Sequence, residues 1–235
     1  MLRRVLCRNL YVDAGGAHVG RFHLSYGDYI DLSNGPFGVL EALNDFLVEP
    51  GGGFGAHSHE ETEIISYCVE GELSHSDSKG NAQLLRRGDV GYQCAGSGIV
   101  HAEENCSADR RVRFVQVLIK PNGPNLTPSY RTLRLPAHDR RNKWRQVVSW
   151  DPTADTIRIN QDVNVFVSEV DRGTCLPVAV FTGRQVYLVC LEGSVTVGDL
   201  ELGESDAIRA TEEGGFSLKA LEDSHLLLVD VAEGD

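Results

Sequence analysis

The chain has 235 residues, 41% of them hydrophobic, and a formal net charge of −12. That length suits one large domain or two small ones. The acidic balance argues against direct nucleic-acid binding, which needs a basic face, and against docking on an anionic membrane.

No apolar run approaches the ~20 residues that span a bilayer, and the N-terminal stretch has no run of signal-peptide length. A non-secreted, cytoplasmic protein is expected. Short apolar stretches broken by turn residues, with few helical periods, indicate an all-β sandwich or barrel.

In chain order, the first informative segment is Gly55-Ala56-His57-Ser58-His59-Glu60-Glu61-Thr62-Glu63. Side chains two apart on a strand share a face, so His57 and His59 project together. A regular strand would carry that face on through Glu61 and Glu63. Next comes Tyr67-Cys68-Val69-Glu70-Gly71-Glu72-Leu73, and Ser76 to Asn81 reads as a hairpin turn. Gly96-Ser97-Gly98-Ile99-Val100-His101-Ala102-Glu103 again sets two candidate ligands on one face.

Residues 121–128, with Pro, Asn and Gly, read as a linker, and residues 140–150 as the best helical or irregular candidate. Val189-Cys190-Leu191-Glu192-Gly193-Ser194-Val195 repeats the earlier stretch, Cys190 over Cys68 and Gly193 over Gly71. Leu202-Gly203-Glu204 resembles Arg87-Gly88-Asp89. Two copies of one barrel in tandem follow.

Facing strands would bring His57, His59, His101 and Glu103 to one metal. Imidazole with carboxylate suits iron, nickel, manganese, copper or zinc. Four protein ligands leave an open position only on a five- or six-coordinate ion, which favours a redox-capable metal over structural zinc.

His75 reads as a hydrogen-bonded strand residue. His18, His23, His138 and His225 have no partner at ligand spacing. The six cysteines form no CxxC pair and read as free thiols, with Cys94 and Cys106 as small buried residues. Carrying the repeat back sets Ala179, Phe181, Phe216 and Leu218 against His57, His59, His101 and Glu103, and Gln185 against Glu63. The second barrel should hold no metal.

These residues also resemble the pirin family of the cupin superfamily. The resemblance lies in Gly53-Phe54-Gly55-x-His57-x-His59, Glu63, Tyr67, Glu70-Gly71, His75-x-Asp77-Ser78 and Gly80-Asn81. It continues in Gly88-Asp89 and in the run from Ala95 to Glu103, with Phe22 to Tyr26, Phe37 to Leu40 and Ile159 to Asp162 fitting elsewhere. It covers most of the chain and is densest between residues 20 and 120. One departure is Glu60-Glu61-Thr62, where many pirins have Arg-Gly-Phe; it changes the charge near the pocket entrance.

The resemblance implies a bicupin: two tandem double-stranded β-helix (jelly-roll) barrels, expected over 1–125 with metal and 126–235 without ligands. It implies one divalent transition metal per chain, iron first, held by three histidines and one glutamate. The activity implied is that of a quercetin 2,3-dioxygenase, which opens a flavonol ring with O2. The substrate's hydroxyl would meet the metal's open position, and Glu103 would serve as ligand and, if it can swing, as proton acceptor. The histidines' second ring nitrogens need acceptors, for which Glu63 is the candidate. The alternative is a non-enzymatic, metal-dependent regulatory protein with a protein partner, as for nuclear pirins. A further alternative is a cupin acting on another small acid or sugar. The expected partners are a flavonol-like substrate and O2, and the expected state is a monomer.

Overall fold

The computed structural model describes residues 1–153, 155–212 and 214–233 and is built almost wholly of antiparallel strands. Among the described residues no helix is long and apolar enough to cross a membrane. The chain divides into two compact units. One comprises Tyr11–Leu135 with Ile159–Gln161; the other comprises Met1–Leu10, Pro136–Arg158 and Asp162–Asp235. A single cut at 125/126 does not describe this partition, because strand pairing and carboxylate bonds draw segments across it.

In the unit that contains Tyr11–Leu135, a seven-stranded sheet runs in the order Ser129–Leu133, Val90–Cys94, Glu63–Glu70, Val112–Ile119, Leu40–Val48, His18–Phe22, Tyr11–Asp13. A four-stranded sheet follows the order Gly53–His59, Ile99–Glu104, Glu72–Asp77, Ala82–Arg86. Alternation puts Phe46, Cys68, Leu73, Leu85 and Phe114 on the inner faces as one core cluster. The residues expected as a linker are docked on this unit. The Leu126 carbonyl accepts from Ser97 N, and Asn125 N donates to the Glu61 carboxylate. A Cβ on Gly96 (φ 46°) would run into the Leu126 carbonyl, so the approach requires glycine there.

The other unit repeats the plan. Its seven-stranded sheet is Leu2–Val5, Ala207–Ala210, Arg184–Glu192, Ser224–Ala232, Val163–Val170, Arg145–Ser149, Ile157–Arg158, and its four-stranded sheet is Cys175–Val180, Gly214–Ala220, Val195–Val197, Leu200–Leu202. The strand Leu2–Val5 forms the edge beside Ala207–Ala210. Residues 140–150 are not helical as a block: a short turn of helix covers Ala137–Arg140, and Arg145–Ser149 is a strand.

The duplication is visible atom by atom. Cys68 and Cys190 are both buried, and each thiol faces the carbonyls two and three residues on. Gly71 (φ 76°) and Gly193 (φ 77°) follow in the same left-handed turn, where a side chain would collide with the backbone of Arg111 or Asp223. The later turn corrects the alignment. Asp89 Oδ2 accepts from Arg86 N as Asp206 Oδ2 accepts from Gly203 N. Asp206 therefore answers Asp89, and Ser205 (φ 59°) answers Gly88, two positions beyond the sequence match at Gly203.

The interior of this second unit is apolar, as expected, but two of its expected occupants are not inside. Leu176, Val178, Val180 and Leu218 are buried in its core, with Phe216 packed against them. Ala179 is exposed and Phe181 is 66% exposed. The offset is one residue, which on a strand moves a side chain to the other face.

Inside the first unit, Arg113 Nε and Nη2 reach Asp45 Oδ1 and Oδ2 at 2.9 and 2.7 Å, with both side chains buried. Breaking such a pair strands a buried charge. Asp45→Asn is expected to cost about 3–5 kcal/mol of stability. Denaturant unfolding checks this, and a loss within error of zero would refute it.

Candidate metal centre

Two strands and one irregularity build the centre. Gly53–His59 pairs with Ile99–Glu104, which sets His57 opposite His101 and His59 opposite Ile99. The register slips between His101 and Glu103, a β-bulge, so that Glu103 stands opposite Phe54 on that side and opposite His75 on the other. Bulges of this kind re-aim side chains.

The three predicted imidazoles converge. Ring centroids are 4.4 Å apart for His57 and His101, and 4.9 Å for His59 with each of the other two. Their ligand nitrogens all lie within 4.8 Å of one another. His57 Nδ1–H donates to the Gly55 carbonyl at 2.7 Å, which leaves the Nε2 lone pair facing inward. That Nε2 stands 2.9 Å from His101 Nε2. His59 Nε2 and His101 Nδ1 are buried without a hydrogen-bond partner.

Burial, then the neighbouring ring of His57, pushes His59 down to about 4; burial and the other histidines push His101 down to about 3. The rings are therefore neutral and ready to ligate. Two nitrogens each ~2.0–2.1 Å from one ion stand about 3 Å apart at a right angle and about 3.4 Å apart at a tetrahedral one. The observed 2.9 Å brings the two nitrogens close enough to share one ion. Orphaned nitrogens, neutral rings and this spacing together fit a divalent transition metal.

Glu103 is fully buried beside them. Ser66 Oγ donates to its Oε1 at 2.7 Å and Gln116 Nε2 to its Oε2 at 2.6 Å. Burial raises its pKa against the opposing pull of those donors and of His57. Glu103 clusters with His101 and His75 rather than with all three predicted imidazoles. Any swing of its carboxylate must give up one of its two bonds.

Other sequence readings change here. Glu63 is no acceptor for the histidines. Glu61 takes φ 49°, the strand stops at His59, and the next begins at Glu63. Glu63 is buried and accepts instead from Tyr92 Oη, from Asn160 N and Nδ2, and from Gln161 N. That carboxylate is what draws residues 159–161 into this unit. Cys94 is buried, but Cys106 is exposed.

His75 is a bonded strand residue, as expected, yet it stands nearer the centre than its spacing suggested. It stacks on Tyr130 at 3.8 Å, meets Asp77 Oδ2 at 3.3 Å, and lies 5.5 Å from the His101 ring. The pair His75-x-Asp77 carried a signal, since both share a face. Tyr130 carried none.

His57 and His59 open on a cavity of about 360 Å³. Phe22, Phe46 and Phe54 wall it, with Tyr11, Tyr26 and Tyr29 further out and Asn44, Gln116 and Glu103 also in its lining. Tyr11 and Tyr29 stack at 4.7 Å.

Comparison with known proteins agrees with this layout. Residues 11–119 match the family model Pirin, and residues 146–231 match the quercetinase C-terminal cupin domain. A putative quercetin 2,3-dioxygenase of Pseudomonas aeruginosa is 34% identical over 213 residues, covering 90% of this chain and 91% of its own. The quercetin 2,3-dioxygenase of Escherichia coli K12 is 30% identical over 207 residues, 88% of each chain. The crystal structure of the bacterial pirin YhhW from Escherichia coli in complex with nickel(II) superposes with a TM-score of 0.92 at 27% identity, covering 99% of this chain and 100% of that one.

Two outcomes are expected. Reconstituted protein should bind a single equivalent of metal, His101→Ala should abolish that binding, and Leu218→Ala should leave it intact; elemental analysis after desalting decides. In metal-stripped protein, His59 and His101 stay neutral when folded but protonate near 6.5 when unfolded. The unfolded chain then binds more protons below pH 6.5, so stability should fall from there towards pH 4. Thermal unfolding should show that fall reduced in His101→Phe; an equal fall in both proteins would contradict it.

Proposed function

Because the chain belongs to the pirin family, we propose that its first barrel is a metal-dependent dioxygenase of the quercetin 2,3-dioxygenase type, acting on a flavonol. One observation carries this reading: His57, His59 and Glu103 together line an aromatic-walled cavity, and the buried Nε2 of His59 has no hydrogen-bond partner. A surface that served only to meet a protein partner would not need such a cavity.

His57, His59, His101 and Glu103 are the proposed ligands. The metal they hold would polarise a substrate hydroxyl and make oxygen chemistry accessible. Iron remains the first candidate, and the nickel(II) complex of the Escherichia coli pirin supports nickel as another.

The chain's own groups do the rest. Phe22, Phe46 and Phe54 offer edges and faces to a flat ring system and keep water from it. The Gly55 carbonyl fixes the tautomer of His57. Glu103 takes the hydroxyl proton at a carboxylate oxygen, and Ser66 and Gln116 aim that carboxylate. Its burial raises its proton affinity towards the working range of a general base. Ser66 and Gln116 each fill one acceptor site on that carboxylate and favour its charged form, so these two residues set how readily Glu103 acts.

The test mixes metal-loaded protein with quercetin and O2 and follows flavonol absorbance together with oxygen uptake. Glu103→Gln should lower turnover about 10²–10⁴-fold. Absence of turnover with iron, nickel, manganese and copper alike would overturn the proposal.

A further inference from the structure

The cavity has one buried polar atom that the metal centre does not use. Asn44, at the middle of the strand Leu40–Val48, is 1% exposed, lines the cavity, and its Oδ1 has no hydrogen-bond partner. Its cross-strand neighbours are Gln116 and Phe22. Gln116 turns its Nε2 to Glu103, and Phe22 offers only a ring. Buried acceptors in folded proteins are nearly always satisfied, so one left open at a cavity wall calls for a donor that arrives with the ligand.

The remaining lining defines that ligand. Phe22, Phe46 and Phe54 favour a planar ring. The charged lining groups include Asp13, Asp28 and Glu103, and no lysine or arginine is among the lining residues, so away from the metal the wall disfavours an anionic substituent. A neutral aromatic carrying hydroxyl donors satisfies both conditions.

We infer that Asn44 is a specificity-determining residue whose Oδ1 accepts a hydrogen bond from a ring hydroxyl of the bound aromatic substrate. This rests on the reading that the cavity takes a flavonol-like ring. It adds a contact on the cavity wall, away from the metal ligands, that selects among ring hydroxylation patterns.

Anaerobic titration of the metal-loaded protein with quercetin, and with analogues each lacking one hydroxyl, tests it without turnover. One analogue should bind wild type about tenfold more weakly than quercetin does. In Asn44→Leu that difference should vanish, with metal content unchanged. A wild-type series in which no hydroxyl matters overturns the inference without any variant. A penalty that survives in Asn44→Leu also overturns it, and so does loss of metal in that variant, which would assign Asn44 to the centre itself. If binding discriminates as expected but admission of O2 produces no turnover, the dioxygenase reading falls and the role of Asn44 stands.

Discussion

The candidate metal centre depends on one slipped register. Between His101 and Glu103 the strand Gly53–His59 carries an extra residue against Ile99–Glu104, with Gly55 and Ala56 set against the single Ala102. Upstream of the slip, His101 faces His57; downstream, Glu103 faces Phe54 and, across the other edge, His75. The matching strands of the second unit run without a slip, with Val178 opposite Phe216 and Leu176 opposite Leu218. The bulge is present in the half with the histidines and absent from the half with the apolar core. In this one pair of strands, the departure from a continuous ladder goes with the histidines.

Much of the centre was legible because its signals are local. Two HxH-type pairs on strands, read with period two, name His57, His59, His101 and Glu103, and the structure brings the three imidazoles together with Glu103 beside them. Glu63 leaves the histidine face because Glu61 breaks the strand with a left-handed backbone, which a period-two pattern does not register. Ala179 and Phe181 were misplaced by a single step in an alignment anchored on a distant glycine. The cavity walls and Asn44 had no local signature at all. Phe22, Asn44, Phe46 and Phe54 come from three separate strands and meet only through pairings that no short window of sequence contains.

The two halves show what a duplicated scaffold keeps and what it releases. The buried cysteine, the left-handed glycine after it and the aspartate that closes the next turn are held in both. These are backbone requirements, and they persist because the turn geometry leaves little choice. The inward-facing positions are free to differ. Histidines fill them in one unit and valines, leucine and phenylalanine in the other, where close packing takes the place of a ligand cluster.

The edge strand Leu2–Val5 carries a consequence for how the molecule is made. Its partners, Ala207–Ala210, lie about 200 residues further along the chain. On the ribosome this strand is finished long before the sheet it completes exists. It can wait in water because it is short and carries exposed Arg3 and Arg4, features that discourage premature pairing. The second barrel gains this edge strand only when a segment synthesised about 200 residues earlier comes back to it.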